Sequence, residues 1–138
     1  MITTLDIETT FCTNENKQKD LFPYSGKNQL VSVGYLTHTG KSDYLFFYHK
    51  DCDPSPHGKD NLQNLLDNTK LLIGHNIKFD LGWLRSCGFK YDKSLYDTMV
   101  VEYILARGLY RDFSLDASCK RRKVSQKKGY LIKKFLDS

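Results

Sequence analysis

Apolar and polar residues alternate in three segments of the first half of the chain, and each alternation predicts a β-strand. The segments are Met1–Ile7, Leu30–Thr37 and the aromatic-rich Tyr44–Tyr48. A Thr-Gly-Lys turn at residues 39–41 separates the last two, which indicates a hairpin. Phe11–Lys27 is polar and contains proline and glycine, so it is predicted to be a loop.

The pattern changes to a helical spacing in the second half of the chain. A short apolar run at Leu71–Ile73 interrupts it and predicts a buried strand before Gly74. The predicted helices are Asp60–Asn68, Ile77–Cys87, a stretch that Asp97 opens, and a last basic helix that begins at Leu115 with Ser114 as its N-cap.

This order of elements predicts an α/β fold with an antiparallel start and not a βαβ repeat. The 138 residues fit one domain, and they contain no internal repeat, low-complexity segment or linker. No apolar run approaches the ~20 residues that cross a bilayer. The first eight residues lack the basic start of a signal peptide. The cysteines form no CxxC pair, which is typical of reduced thiols, so we expect a cytoplasmic protein without a membrane partner.

Charge is distributed unevenly along the chain, whose net charge is +5. Residues 107–134 carry ten Lys or Arg and two acidic residues. This basic segment favours a polyanionic partner, although a solvated lysine-rich surface explains it equally well. The candidate phosphate contacts are Lys120, Arg121, Arg122, Lys127 and Lys128.

Two carboxylates lie at the end of the first predicted strand, in the run Leu5-Asp6-Ile7-Glu8-Thr9. Residues two apart in a strand point to the same face, so Asp6 and Glu8 are expected side by side. Such paired oxygen ligands suit Mg²⁺ or Mn²⁺. A solvated acidic strand end is the other interpretation.

A second acidic element follows the fourth strand, in the run Gly74-His75-Asn76-Ile77-Lys78-Phe79-Asp80-Leu81-Gly82-Trp83-Leu84. It predicts a polar turn and then a helix with Asp80 in its first turn. Interaction with the helix dipole would by itself explain an acid there. Combined with the strand pair, however, it predicts three carboxylates from two elements at one sheet edge. Such a set can hold two metal ions for phosphodiester cleavage.

These two runs resemble the first and second motifs of DEDD 3′–5′ exonucleases. The stretch Tyr96-Asp97-Thr98-Met99, followed by a helix and Ser114-Leu115-Asp116, is similar to the proofreading domains of family A DNA polymerases. The segment Asn28–Tyr35 is similar to phage-type members of that family. The resemblance covers nearly the whole chain.

The resemblance implies a ribonuclease H-like mixed sheet, with three antiparallel strands and then parallel strands, flanked by helices. It implies that Asp6 bridges two Mg²⁺ or Mn²⁺ ions, that Glu8 holds one ion and contacts the terminal 3′-hydroxyl, and that Asp80 helps to hold the other ion. The implied reaction is hydrolysis of the 3′-terminal phosphodiester of single-stranded DNA to release nucleoside monophosphates. The resemblance also implies a polymerase domain downstream and a location in the cytoplasm of a bacterium or of a phage-infected host. The implied contacts to the terminal nucleotide are Thr9, Asn76 and Phe79.

The third motif of the family, Tyr-x-x-x-Asp or His-x-x-x-x-Asp, does not follow Asp80 in this sequence. Tyr130, for example, has Lys134 at the required spacing. We therefore expect residues 1–138 to form one exonuclease domain that lacks its C-terminal motif-three helix. Two other hypotheses remain: a catalytically incomplete nucleic-acid-binding module, and an interaction domain whose apolar edge docks a fragment carrying motif three.

Overall fold

The structure is a computed structural model that describes residues 1–137, with residues 25, 132 and 135–137 described only as parts of their helices. The strands are β1 (Ile2–Thr9), β2 (Cys12–Thr13), β3 (Lys19–Asp20), β4 (Leu30–Thr37), β5 (Ser42–Phe46), β6 (Leu71–Gly74) and β7 (Ser94–Asp97). The helices are α1 (Gly58–Asn68), α2 (Ile77–Ser86), α3 (Thr98–Ala106), α4 (Leu115–Arg122) and α5 (Gly129–Asp137), with a short 3₁₀ helix at Pro23–Ser25.

Five strands form one mixed sheet in the order β5-β4-β1-β6-β7. Strands β1 and β5 each pair antiparallel with β4, whereas β1 and β6 are parallel. The remaining pair, β2 and β3, forms a separate two-stranded hairpin. This arrangement confirms the predicted α/β fold with an antiparallel start, a parallel continuation and flanking helices.

The core lies between one face of the sheet and helices α1 and α2. Leu5 and Ile7 of β1 point into it, while the intervening Asp6 is exposed on the other face. Burying such side chains supplies most of the stabilisation, at about 25 cal/mol for each Å² of apolar surface removed from water. The buried cluster consists of Leu5, Ile7, Leu30, Val33, Leu45, Leu62, Leu66, Leu72, Ile77, Leu81, Trp83, Leu84, Phe89 and Tyr91.

The structure departs from the predicted elements in four places. The predicted loop at Phe11–Lys27 contains β2, β3 and the 3₁₀ helix, because the side chain of Asn14 accepts two backbone hydrogen bonds that close the hairpin turn. Strand β5 begins and ends two residues earlier than predicted, and Ser55 binds the backbone of its last residue, Phe46. Strand β7 and helix α5 were not predicted, so the helix at Leu115 is not the last one.

Contacts divide the chain into two compact units, Met1–Tyr96 and the residues from Asp97 onward. The prediction of one exonuclease domain stays a prediction. The predicted helix starts are confirmed in the second unit, where the side chain of Asp97 accepts from the Met99 amide and that of Ser114 from the Ala117 amide. None of the helices in the described residues combines the length and apolarity that crossing a bilayer requires.

Candidate active site

Asp6 and Glu8 lie on the same face of β1, opposite the core. Cross-strand pairing places Asp6 beside Gly34 of β4, and Glu8 beside Ser32. Asp6 is exposed and Glu8 is half-buried. The register shifts directly after Glu8, so β1 ends at an irregularity immediately beyond the second carboxylate.

Asp80 reaches the same edge of the sheet from a different element. Strand β6 runs parallel to β1, so both strands end at that edge, and α2 begins three residues after β6 ends. Asn76, the N-cap of α2, turns the chain there with a left-handed backbone of φ 60° and ψ 48°. Asp80 follows in the first turn and is only 5% exposed. A negative charge near a helix N-terminus is stabilised by the helix dipole.

A close contact between the end of β6 and the start of α2 sets this turn. A Cβ atom added to Gly74 would lie 2.4 Å from Cδ1 of Ile77 and 3.3 Å from its Cβ and Cγ1. Ile77 is itself 3% exposed in the core. A residue without a side chain therefore allows the helix that carries Asp80 to start this close to the strand.

The carboxylates supply the hard oxygen donors that Mg²⁺ and Mn²⁺ prefer. Among the described residues, however, no group of three or more His, Cys, Asp or Glu side chains is arranged to hold a metal ion. The donor chemistry fits such an ion, and the metal role of Asp6, Glu8 and Asp80 stays a prediction.

The predicted substrate-binding residues lie near the carboxylates in the chain. Thr9 is half-buried and pairs with Leu30 where the register of β1 shifts. The side chain of Asn76 is exposed at the start of α2. Phe79 is half-buried and packs against the core, so part of its ring has a structural role. Their contacts to a terminal nucleotide stay predictions.

The face that carries Asp6 and Glu8, here called the acid face, continues across two further strands. Gly34 and Ser32 pair with Tyr44 and Phe46 of β5, respectively, so both aromatic residues share this face. The sequence alone does not show that this aromatic pair lies on the acid face. The period of two in β5 indicates that Tyr44 and Phe46 share a face, but the residues beside them on the neighbouring strand depend on the register of the sheet.

Glu102 of α3 engages two of the predicted phosphate contacts in the second unit. Its Oε1 accepts from Nε of Arg122 at 2.7 Å, and its Oε2 accepts from Nη2 of Arg121 at 3.4 Å. These hydrogen bonds, that from Arg122 above all, hold the pKa of the Glu102 carboxyl below its ordinary value. Arg121 also lies over the rings of Tyr110 and Phe113, with its guanidinium carbon 4.8 and 5.8 Å from their centroids. A bound phosphate would have to share or replace these contacts.

The three lysines among the predicted phosphate contacts are more exposed than Arg121. Lys120, Lys127 and Lys128 are all exposed, the first in α4 and the others between α4 and α5. Phosphate binding stays a prediction for all five basic residues.

A family model described as a 3′–5′ exonuclease, the type found in family A DNA polymerases, matches residues 17–133. The chain belongs to this 3′–5′ exonuclease family. The matched residues include Asp80 and the turn before it, whereas Asp6 and Glu8 precede them. None of the curated protein sequences compared with the chain matches it.

Solved nuclease and polymerase structures share the fold of this exonuclease-family chain. Brucella melitensis NrnC with bound Mg²⁺ is 21% identical, with a TM-score of 0.64 over 92% of this chain and 56% of that one. The same protein bound to pGG is 22% identical, with a TM-score of 0.64 over 92% and 55% of the respective chains. The POL domain of Pol1 from M. smegmatis, in complex with DNA primer-template and dNTP, is 15% identical, with a TM-score of 0.57 over 86% and 18%. The chain thus spans little more than half the length of the NrnC structures.

Proposed function

We propose that this protein hydrolyses the 3′-terminal phosphodiester of a single-stranded DNA end and releases nucleoside monophosphates. The observation that carries the proposal is the pair Asp6 and Glu8 on one face of β1, at the sheet edge where α2 begins with Asp80 in its first turn. Membership of the 3′–5′ exonuclease family supports this reaction over other chemistry of acidic sites.

In this proposal Asp6, Glu8 and Asp80 would hold the divalent ions, with Asp6 serving both ions, Glu8 one of them and Asp80 the other. Glu8 would also contact the terminal 3′-hydroxyl. Mg²⁺ or Mn²⁺, when bound, supplies an activated water and stabilises charge on the leaving oxygen. Thr9, Asn76 and Phe79 position the terminal nucleotide. The exposed lysines of the basic segment attract the phosphates of the strand. A proofreading role beside a polymerase domain is part of the same proposal.

A second candidate function is nucleic-acid binding without turnover. It is favoured by the absence, within the described residues, of a three-residue metal group and by the basic segment at 107–134. This candidate predicts binding that weakens with salt and that survives removal of the carboxylates. For the hydrolase, a short oligonucleotide is an alternative substrate to a DNA strand, because Brucella melitensis NrnC, which shares the fold, binds pGG.

The first prediction concerns the activity of Asp6→Ala. We expect the wild-type chain to shorten a 5′-labelled single strand from its 3′ end with Mg²⁺ or Mn²⁺, and the variant to be slower by about 10²-fold or more, because a preorganised electrostatic contact to the transition state is lost. Gel analysis of single-turnover reactions on DNA and RNA strands measures both rates. Asp60→Ala is the matched control, since Asp60 is exposed on α1, which packs against the opposite face of the sheet.

The possible results distinguish the hydrolase from the nucleic-acid-binding module. Activity that falls in Asp6→Ala and Asp80→Ala, but not in Asp60→Ala, supports the hydrolase. Strand binding by wild type and both variants, with no hydrolysis in any metal, supports the binding module. Equal hydrolysis by wild type and Asp6→Ala contradicts the assignment of Asp6.

A further inference from the structure

The acid face has a regular layout that follows from the register of three strands. One cross-strand row consists of Asp6, Gly34 and Tyr44. The next row consists of Glu8, Ser32 and Phe46. Because neighbouring strands lie ~4.8 Å apart, the backbones of β1 and β5, which carry the carboxylates and the aromatic rings, are separated by a gap of about 10 Å.

The floor of this gap is low because its two residues are small. Gly34 has no side chain, and a Cβ atom there would meet only the backbone oxygen of Asp6, at 3.9 Å. Ser32 contributes one hydroxymethyl group. The two strands on either side carry longer side chains, so the gap is a trough, with carboxylates along one wall and aromatic rings along the other.

The aromatic wall is formed by two rings in contact. The rings of Tyr44 and Phe46 pack edge to face, with centroids 5.1 Å apart and planes at 76°. Tyr44 is 61% exposed, whereas Phe46 is half-buried and its backbone is held at both polar atoms by Ser55. The contact with Phe46 orients the Tyr44 ring while leaving much of it open to solvent.

The chemistry of the two walls fits a nucleotide. A phosphate needs metal ions and therefore lies at the carboxylates, whereas a nucleobase is uncharged and stacks on aromatic rings. One nucleotide, from its phosphate to the far edge of its base, spans a gap of this width.

We propose that the trough over Gly34 and Ser32 holds the second-last nucleotide, on the 5′ side of the scissile phosphate, with its base stacked on Tyr44. This inference rests on the proposed function, because it takes Asp6 and Glu8 as the position of the phosphate. It assigns Tyr44 as a substrate-binding residue and Gly34 as the residue that keeps the trough open.

The second prediction tests Tyr44 by binding and not by turnover. The probes are single DNA strands with 2-aminopurine at the last or the second-last 3′ position, bound in Ca²⁺, which accepts the same oxygen ligands. We expect Tyr44 to quench the probe with 2-aminopurine at the second-last position on binding. Tyr44→Ala should remove the quenching and weaken binding about 5- to 100-fold, the effect of one lost base stack, whereas Tyr44→Phe should retain both. Tyr24→Ala is the control, because Tyr24 is exposed in the 3₁₀ helix outside the sheet.

Gly34→Val provides a test that does not depend on removing a ring. A Cβ atom at this position makes only an ordinary contact with the backbone oxygen of Asp6, and β-branched residues favour strands, so the variant should fold with an equal or higher melting temperature. We nevertheless expect it to bind the strand as weakly as Tyr44→Ala. Wild-type affinity in either Gly34→Val or Tyr44→Ala overturns the proposal.

Other outcomes are equally decisive. A strand whose quenched position is abasic should bind Tyr44→Ala and wild type alike, and a full loss with that strand overturns base stacking. A wild-type dimer in sedimentation that Tyr44→Ala dissociates, or a wild-type chain that binds no strand, also overturns the proposal. The Asp6→Ala activity assay decides the proposed function separately, since hydrolysis that depends on Asp6 but not on Tyr44 retains the function and removes only this site.

Discussion

At the scale of single residues, side-chain size and alternation set the geometry of the site. Leu5 and Ile7 bury one face of β1, and this burial directs Asp6 and Glu8 to the other face. A shift of one residue would exchange the two faces and bury the charges, so the core fixes the orientation of the carboxylates. Gly74, the last residue of β6, also sets the geometry, because its lack of a side chain leaves room for Ile77 at the start of α2.

The third prediction is that Gly74→Ala destabilises the fold by about 1–3 kcal/mol, because the new methyl group overlaps the side chain of Ile77. Urea unfolding followed by fluorescence of Trp83, the single tryptophan, measures the change. In Gly74→Ala/Ile77→Val the overlapping Cδ1 is gone, so the second substitution should cost less in this background than in wild type. Gly82→Ala is the control, since a Cβ atom there meets no atom within 4 Å. If the losses of stability caused by the two substitutions simply add, the overlap between residue 74 and Ile77 is not the cause of the destabilisation.

At the scale of elements, the second unit depends on polar contacts between helices. Glu102 of α3 binds Arg121 and Arg122 of α4, and the latter hydrogen bond is short at 2.7 Å. Ser114 caps α4, and Asp97 caps α3. Arg121 and Arg122 thus join α4 to α3 and stabilise the unit itself.

The fourth prediction concerns the pH dependence of this unit. The Arg122 and Arg121 hydrogen bonds depress the pKa of Glu102 in the folded state, so the carboxylate stabilises the fold fully above its ordinary value of 4.5. This contribution is lost as the pH falls through the lower folded-state pKa. We therefore expect Glu102→Gln to be less stable than wild type at neutral pH, and the difference to shrink below pH 4.5.

Thermal unfolding followed by two-dimensional NMR, with resonances of α3 and α4 analysed separately, measures this difference. Glu15→Gln is the control, because Glu15 is exposed in a turn and its substitution should change neither the stability nor its pH profile. A Glu102→Gln difference that is constant from neutral to acidic pH would show that the ion pairs do not contribute in this way.

At the scale of the whole molecule, charge is separated along the chain. The carboxylates of the candidate site lie in the unit Met1–Tyr96, and the basic segment lies in the unit from Asp97 onward. The acids proposed to bind metal and the candidate phosphate contacts thus belong to different units. Binding of a strand by the basic segment can be measured independently of cleavage.

The fifth prediction is that binding of a single strand weakens linearly on a plot of log affinity against log salt, with a slope of about −0.7 for each phosphate that is neutralised. Replacing Lys127 and Lys128 together by Gln should reduce the slope if both contact phosphates. Fluorescence anisotropy at several salt concentrations measures it. Lys41→Gln/Lys50→Gln removes the same charge from exposed positions outside the basic segment and should leave the slope nearly unchanged. Equal slopes for the two double variants would favour the solvated lysine-rich surface.

Local patterns were sufficient to predict much of this protein. Strands β1, β4 and β6, helices α1 and α2, and the caps at Asp97 and Ser114 follow from periodicity and side-chain chemistry within a few residues. The shared face of Asp6 and Glu8 follows from the same period of two. The family also follows from short runs, because its second motif combines a strand, a turn and an acid-bearing helix in one continuous segment.

Other features depend on residues distant in the chain, and the tertiary structure decided them. Strand β7 is short and exposed, and it forms because β6 offers it an edge. Arg121 and Arg122 meet Glu102 some 20 residues away. The neighbours of Asp6 and Glu8 depend on the register of β4 and β5, which core packing sets, since a slip of one residue would turn every side chain to the opposite face. The sequence alone thus determined that two carboxylates stand together, and only the folded sheet placed Gly34 and Tyr44 beside them.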